Sequence, residues 1–285
     1  NGIPGSIAWL DYLAVNVVRD LEYYGNYMRI AQPDVIGSGN LAQYTMTAAS
    51  GATVWEVSDP LNAGAVVTNS GQQTVTWQRD ASALRQYIAF NGSNFPTPAL
   101  FGSVDNQNLH GLPVADMFIV APKPFLEEAQ RLADFHAVED DMAVTVVTPQ
   151  QIYHEFGSGK QDPSAIRDFM RMFYERATTP EDLPKHLLLF GDCSYDYKDV
   201  LNDNTNLVAT YQSVPSFSLY ESFCTDDYFG CLDPDEGERI FNDVLDLSVG
   251  RLTVKNVSEA RTVVDKIIRY YEEGSYGDWT QRVLF

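Results

Sequence analysis

Hydrophobic and polar residues alternate in short runs from the start of the chain to about residue 112. Alternation of this kind is typical of strands that bury one face and expose the other. Breaker sequences rich in Gly, Pro, Asn and Ser separate the runs. The predicted strands are 42–47, 53–57, 65–68 and 74–77, and the breakers are 50–51, 59–60, 69–71 and 91–93. We therefore expect residues 1–112 to form an antiparallel β-sandwich domain that carries no chemistry.

The pattern changes at about residue 113, where continuous apolar runs replace the alternation. Such runs are typical of parallel strands that are covered on both faces. The predicted strands are 117–121, 143–147, 187–190, 245–249 and, at the end of the chain, 283–285; the helices between them open at 123–124, 162–163 and Ser258. Alternating strands and helices predict a doubly wound parallel α/β domain over 113–285, so the fold class is a two-domain α+β fragment.

The helix that opens at Asp162 has the clearest local pattern. Asp162 is a good N-cap residue, and Pro163 is favoured at the first helical position. Apolar residues follow at spacings of three and four, as expected for one buried face of a helix. We expect this face, made of Ile166, Phe169, Met170 and Phe173, to be buried against the sheet.

The charge of the chain argues against nucleic acid or an anionic membrane surface as its main partner. A formal net charge of −20, from 39 acidic and 19 basic residues, would repel nucleic acid and anionic membrane surfaces. No apolar run approaches the ~20 residues that span a bilayer, so we predict no transmembrane segment. The chain opens and closes inside strand-like patterns, NGIPGSIAWL and RVLF. We therefore expect it to be part of a longer protein.

Charged residues cluster where the carboxyl ends of the parallel strands are predicted. Ligands bind to open parallel sheets at this edge. Asp192 follows the third strand and Arg251 the fourth, while Asp226 and Asp227 lie in a long insertion over 200–242. We expect Arg251 to pair with Asp192 or Asp226. A purely structural ion pair and an active-site crevice remain alternative interpretations.

A search for a nucleophile and its base finds no pair within the chain. Cys193 lies at a strand end, but His186 is seven residues earlier on the same strand, roughly 23 Å away at ~3.3 Å per residue. The remaining histidines lie in a linker, on a helix face and in a short segment after the second strand: His110, His136 and His154. Motifs typical of serine hydrolases, nucleotide-binding loops and zinc peptidases are missing from the sequence.

The acidic stretch 226–238 and the three cysteines each leave two interpretations open. Carboxylates near a turn are typical of calcium sites, but the spacing does not match an EF-hand, and a solvated hairpin turn explains residues 233–238 equally well. No cofactor other than this calcium ion is expected. Cys224 and Cys231 would close a small disulfide loop in an oxidising compartment, or remain free.

Five segments together resemble the gingipain family of cysteine peptidases, and within it the sortases of the type IX (Por) secretion system. The resemblance covers about residues 114–285 and is looser over the preceding β-rich half. The segments are ADMFIVAP (115–122), TPQQIYHEFGSGKQDPSAIRDFMRMFYERA (148–177), HLLLFGDCSYDYKD (186–199), CTDDYFGCLDPDEG (224–237) and LSVGRLTVKNVSEARTVVDKIIRYYEEGSYGDW (247–279).

The resemblance implies a caspase-like domain with a catalytic His/Cys dyad. In the family the histidine lies in a Gly-His-Gly motif and the cysteine at a later strand end, both beyond the equivalent of residue 285. No residue of this chain therefore inherits a catalytic role, and Cys193 matches a position that is commonly glycine in such sortases. The residues that match as crevice scaffold are Asp192, Asp226, Asp227 and Arg251.

The resemblance also implies a substrate class and a location. A sortase of this kind removes carboxy-terminal sorting domains from exported proteins. It then transfers the cleaved proteins to a lipopolysaccharide anchor, at the outer-membrane surface or outside the cell. Its partners are these exported proteins and outer-membrane proteins of the secretion system. Arg- or Lys-specific secreted proteolysis is the other activity of the family, and a non-catalytic gingipain-fold module that binds cargo is the alternative function.

Overall fold

The computed structural model describes most of the chain and divides it into two compact units, residues 1–102 and 103–285. The described residues are 13–15, 17–92, 95–100, 102–196, 199–200, 202, 205–213, 218, 220–237, 240, 242–271, 277 and 282–283.

The first unit consists of two antiparallel sheets. One has the strand order β1-β7-β3-β4 and the other β2-β6-β5. The strands are β1 Tyr27–Ala31, β2 Leu41–Thr47, β3 Ala52–Glu56, β4 Gly64–Ala65, β5 Asn69–Ser70, β6 Thr74–Asp80 and β7 Gln86–Asn91. Alternate residues of each long strand are buried, as the hydrophobic pattern predicts.

The inner faces of the two sheets share one core. Tyr44 of β2 stacks on Trp77 of β6 with ring centroids 5.1 Å apart, and Tyr87 of β7 meets both rings edge-on. Aromatic contacts between the sheets supply much of the apolar area that holds such a sandwich together. The predicted antiparallel β-sandwich is confirmed.

Sequence reasoning misplaced some strands of this unit. Two strands of one sheet were not predicted: β1, which forms its edge, and β7, which lies in its centre. The predicted strand 65–68 is only the two-residue β4, and Asn69–Ser70, predicted as a breaker, pairs with β6. Two-residue strands are too short for any periodicity to mark them.

The second unit is built on a four-stranded parallel sheet with the order β13-β10-β8-β9. Its strands are β8 Met117–Val120, β9 Val144–Val147, β10 His186–Phe190 and β13 Ser248–Leu252. A separate hairpin pairs β11 Tyr211–Gln212 with β12 Cys224–Thr225. The helices are α1 Leu126–Glu139, α2 Pro149–Phe156, α3 Pro163–Arg176 and α4 Val257–Tyr271.

Helices cover both faces of the parallel sheet. On one face, α1 and α4 pack on Ile119 and Phe190 through Leu132 and Val264. On the other face, α2 and α3 pack on side chains that point the opposite way, including Phe118. The predicted doubly wound α/β architecture is therefore confirmed.

Helix α3 has the predicted cap and the predicted buried face. The Asp162 carboxylate accepts a hydrogen bond from the Ser164 N–H at 2.9 Å. The four predicted core residues are at most 1% exposed: Ile166, Phe169, Met170 and Phe173.

Three other predictions for this unit were wrong in detail. The fourth strand is 248–252 and not 245–249, because its parallel register with β10 begins at Ser248. Gly250 and Arg251 therefore lie within this strand and not after it. Helix α4 is capped by Asn256 and not by Ser258, since the Asn256 side chain accepts the Glu259 N–H at 3.0 Å.

Helix α2 was missed, although its sequence carries a recognisable signal. Thr148 and Gln151 form a capping box, in which each side chain accepts a hydrogen bond from the other residue's N–H. The predicted fifth strand at 283–285 reaches residues 284–285, which lie outside the described residues. No helix within the described part of the chain is long and apolar enough to span a membrane.

Glu155 of α2 fixes the segment that leads into the parallel sheet. Its carboxylate accepts hydrogen bonds from the Leu109 N–H at 2.7 Å, the His110 ring at 2.6 Å and the Gln107 amide at 2.8 Å. Burial opposes ionisation of Glu155, but these hydrogen bonds together lower its pKa from 4.5 to about 2. The ionised carboxylate therefore stabilises the folded state.

Glu155→Gln should destabilise the second unit at neutral pH and much less in acid. A lowered folded pKa gives stability that is present above about pH 4.5 and is lost as the pH falls toward 2. At pH 7 we expect a loss of about 2–3 kcal/mol in unfolding free energy. Urea unfolding followed by circular dichroism at pH 7 and pH 3 measures the unfolding free energy of the variant and of the unmutated chain. Glu175→Gln, on a side chain 55% exposed, is the control and should change little at either pH.

Candidate functional site

Arg251 occupies the carboxyl end of the parallel sheet. In the register of β10 and β13, it lies directly beside Leu189, one residue before β10 ends. Gly191 follows β10, and its N–H bonds the Leu252 carbonyl at 3.0 Å, so the two chains stay side by side beyond the strand. This places the Arg251 side chain where the connection after β10 and the long insertion meet.

All the nitrogens of the Arg251 guanidinium are engaged. Nε and Nη2 each donate to one oxygen of the Asp226 carboxylate at 2.7 Å, which is a bidentate pair. Nη1 donates to the Gly191 and Val208 carbonyls at 2.9 and 2.8 Å, and Nη2 to the Ala209 carbonyl at 3.1 Å. The Arg251 side chain is only 7% exposed. The predicted contact between Arg251 and a carboxylate is therefore confirmed, with Asp226 as its partner.

Thr210 extends this arrangement into the insertion. Its hydroxyl lies 2.9 Å from the Asp226 carboxylate and 3.3 Å from the Thr225 carbonyl. Tyr211 then pairs with Thr225 in the β11–β12 hairpin. Two segments within the insertion, at 210–211 and 225–226, are thus tied to each other and, through Arg251, to the sheet. We call the set Arg251, Asp226 and Thr210 the arginine clamp.

The other two predicted crevice residues have partners other than the arginine clamp. Asp192 accepts a hydrogen bond from the Thr205 hydroxyl and lies 3.6 Å from the Lys255 ammonium group. Asp227 is exposed, and its N–H donates to the Thr225 hydroxyl. Of the four residues, the structure therefore brings Arg251 and Asp226 into contact. Their role as an active-site scaffold stays a prediction.

A second arginine, which sequence reasoning missed, holds the far side of the insertion. Arg167 of α3 is 8% exposed and donates to the carbonyls of Cys231 at 2.6 Å, Asp233 at 3.2 Å and Glu236 at 3.0 Å. Its guanidinium also lies 5.4 Å from the centre of the Tyr228 ring. No local pattern marks Arg167, because its partners are main-chain atoms more than sixty positions away.

The acidic side chains of this region mostly accept main-chain hydrogen bonds. Glu236 accepts from the Asp233 and Val244 N–H groups, Asp243 from Gly237 and Asp246 from Leu232, at 2.7–3.2 Å. Within the described residues, no group of three or more His, Cys, Asp or Glu side chains is arranged to hold a metal ion. A bound calcium ion stays a prediction.

All three cysteines are free thiols, and each is less acidic than an ordinary thiol. Burial raises the pKa of Cys193 and Cys224, and raises that of Cys231 to about 11. In the described part of the chain, which includes every cysteine and histidine, no thiol bonds an imidazole. The His110 and His136 rings bond Glu155 and Asp140 instead, at 2.6 Å each. Neither an activated thiol nor a dyad is thus seen among these residues.

Comparisons with known proteins agree on one family. Residues 110–285 match the model of peptidase family C25. The crystal structure of dimeric latent PorU from Porphyromonas gingivalis is similar at a TM-score of 0.78 and 32% identity, over 92% of this chain and 26% of PorU. The chain therefore spans about a quarter of the length of that relative.

A more distant likeness is found to the Arg-specific cysteine proteinase gingipain R, at a TM-score of 0.41 and 14% identity over 57% of this chain and 31% of that protein. This likeness is too low to support any inference. Comparison with curated proteins gives no match.

Breaking the arginine clamp should destabilise the second unit strongly. Arg251→Lys keeps the charge but cannot form the bidentate pair and the three carbonyl contacts, and Asp226→Asn leaves a buried guanidinium without its counter-ion. We expect each change to cost about 2–4 kcal/mol, measured by urea unfolding. The double variant should cost less than the sum of the two, because both remove one interaction.

The matched control is Lys255→Met, at the same end of the sheet. Lys255 is 58% exposed and 3.6 Å from Asp192, so its removal should change the unfolding free energy by less than about 0.5 kcal/mol. An Arg251→Lys variant as stable as this control would contradict a clamp that supports the fold.

Proposed function

Because the chain belongs to peptidase family C25, we propose that the longer protein that carries it is a gingipain-type cysteine endopeptidase, and within that family a sortase of the type IX secretion system. The observation that supports the finer proposal is the 32% identity to PorU over 92% of this chain, which extends through the β-sandwich as well as the α/β unit. An antiparallel sandwich placed before the α/β unit is thus a feature that the chain has in common with PorU.

In this proposal the arginine clamp supports the active site and takes no part in the chemistry. Hydrolysis of a peptide bond needs a thiolate and a base within about 3 Å of one another. Arg251 has no donor left for a substrate, since its nitrogens bind Asp226 and three carbonyls. We assign Asp192, Asp226, Asp227 and Arg251 to the scaffold of the crevice at the carboxyl ends of the strands, and the catalytic His and Cys to residues beyond this chain.

The proposed substrates are exported proteins with a carboxy-terminal sorting domain. The sortase would cleave this domain and transfer the product to a lipopolysaccharide anchor, at the outer-membrane surface or outside the cell. Outer-membrane proteins of the secretion system are the proposed partners. A net charge of −20 disfavours nucleic acid as a partner.

The alternative proposal is a non-catalytic gingipain-fold module that binds secretion cargo. The raised pKa values of the chain's own thiols are expected under both proposals, since the peptidase proposal places the catalytic residues beyond this chain. The sequence that follows residue 285 separates the two proposals. A Gly-His-Gly motif followed by a cysteine at a strand end supports a peptidase, and a lack of either supports the binding module.

The test of the sortase proposal uses the full-length protein. It is incubated with an exported protein that carries its sorting domain and, separately, with short peptides that contain Arg or Lys. A sortase should release the sorting domain, seen by mass spectrometry, and leave the basic peptides intact. Cleavage of the basic peptides alone would indicate a gingipain-like secreted peptidase, and binding of the exported protein without cleavage would indicate the cargo-binding module.

Residues 1–285 alone should fold and show no peptidase activity. The physical reason is that covalent catalysis needs a thiolate beside a base, and burial suppresses the thiolate form of Cys193. The measurement is turnover of peptide substrates, including basic ones, by this chain and by its Cys193→Ala variant. Hydrolysis by the chain that disappears in the variant would contradict the assignment and make Cys193 the nucleophile.

A further inference from the structure

The β-sandwich contains a cavity of about 430 Å³ that is lined by residues of both of its sheets. One sheet contributes Glu56 at the end of β3 together with Gly64 and Ala65 of β4, and the other contributes Arg79 near the end of β6. Cavities that hold small molecules in proteins measure roughly 300–1,000 Å³. The volume of this cavity is therefore sufficient for a small ligand.

The charges that line this cavity balance each other. Two arginines, Arg79 and Arg85, accompany two acids, Glu56 and Asp59. The side chains of Glu56, Arg79 and Arg85 are partly buried, with exposed fractions of 24%, 32% and 31%. A charged ligand would be attracted by one pair of these groups and repelled by the other, whereas a neutral ligand would gain hydrogen bonds from both.

Arg85 fixes one oxygen of the Glu56 carboxylate. Its Nη1 donates to Glu56 Oε1 at 2.6 Å, while its Nη2 and Nε donate to the carboxylate and the main-chain carbonyl of Asp80 at 3.1 and 2.6 Å. The Ser58 hydroxyl donates to the same Glu56 Oε1 at 3.3 Å. The carboxylate is thus held in place through Oε1, and Oε2 is its second acceptor.

This second oxygen of Glu56 lies beside the Arg79 guanidinium without a hydrogen bond between them. Glu56 Oε2 is 3.6 Å from Arg79 Nε, which is too long for a hydrogen bond. Arg79 makes a single hydrogen bond to the described residues, from Nη1 to the Gln78 carbonyl at 3.0 Å. An acceptor and a donor placed side by side suit two adjacent hydroxyl groups, one that donates to the carboxylate and one that accepts from the guanidinium. Adjacent hydroxyl groups of this kind are typical of sugar rings.

Apolar side chains complete the lining of the cavity. Val66, which is 7% exposed, and Ala65 both lie in its wall. Ala65 pairs with Trp55 of β3, so the Trp55 indole, 41% exposed, lies on the same face of the sheet beside this wall. A sugar ring has hydroxyl groups at its edge and C–H groups on its faces, and the lining offers partners for both.

We propose that this cavity binds a neutral saccharide, with Glu56 and Arg79 holding two adjacent hydroxyl groups. Binding of a saccharide here does not depend on the proposed peptidase activity, because all the residues involved belong to the β-sandwich. Such a ligand has two possible sources: the polysaccharide of the lipopolysaccharide anchor in the proposed function, and free sugars.

The experiment measures sugar binding to the chain of residues 1–285. Saturation-transfer NMR is carried out with methyl glucoside, methyl galactoside and methyl mannoside, and titration calorimetry with polysaccharide released from lipopolysaccharide by mild acid. Binding of the polysaccharide alone supports the anchor as the source, and binding of a methyl glycoside supports free sugars. Galacturonic acid is the charged control, and the balanced lining predicts that it binds more weakly than the methyl galactoside.

Two variants of the lining test the position of the site. Arg79→Met removes the guanidinium donors, and Gly64→Leu fills the cavity while leaving every polar group in place. A Cβ at Gly64 would meet no atom within 4 Å and, because Gly64 pairs with Glu56, would lie on the same face of the sheet as that side chain. Each variant should weaken binding at least about tenfold. The matched control is Arg29→Met, which changes an exposed arginine of β1 and should leave binding unchanged.

Circular dichroism verifies that each variant is folded, and the Gly64→Leu result is independent of any effect of Arg79 on stability. Three results would overturn the proposal: no binding of any of these sugars, binding of equal strength in the unmutated chain and in both cavity variants, or tighter binding of galacturonic acid than of the methyl galactoside.

Discussion

The buried guanidinium of Arg251 connects the parallel sheet to the long insertion after β10, two parts of the α/β unit that share no regular secondary structure. The sheet and its helices are held by main-chain hydrogen bonds and by two apolar layers. The insertion after β10 has only the short β11–β12 hairpin and a 3₁₀ turn among its described residues. Arg251 joins this insertion to the sheet through the bidentate pair with Asp226 and three carbonyls. A charge with so little exposure is tolerable only because all its donors are satisfied.

Arg167 of α3 holds the opposite side of the insertion through different contacts. Where Arg251 pairs with a carboxylate, Arg167 donates to three main-chain carbonyls. Gly237 makes this possible, because its φ is +95° and a Cβ at that position would lie 3.2 Å from the centre of the guanidinium. Together the two arginines and the capping carboxylates give an acidic, irregular segment a defined path.

In the proposed function, the residues that build the scaffold are different from those that would carry out the chemistry. The described residues contain a four-stranded parallel sheet, its helices and the arginine clamp, and none of these elements uses a thiol or an imidazole as a catalytic group. Among the described strands, β13 is the edge next to the clamp. The proposed peptidase would need a rigid edge at this point to hold a nucleophile at a strand end.

The hydrophobic pattern by itself determined the two-part architecture, because a period of two and continuous apolar runs specify half-buried and fully buried strands without reference to other segments. It also determined the buried face and cap of α3, which depend on residues within one or two turns. The family resemblance over 114–285 depended on the order of several motifs and could be read from the sequence as well.

Only the tertiary structure decided which acid pairs with Arg251, since Asp192 and Asp226 are equally suitable by residue type. It also decided that Arg167 is buried and that the β13 strand starts at Ser248, because register and main-chain partners come from segments far apart in the chain. The cysteines show the same division. The sequence left open whether Cys224 and Cys231 pair or remain free, and the burial of Cys231 is a property of the fold that no local pattern contains.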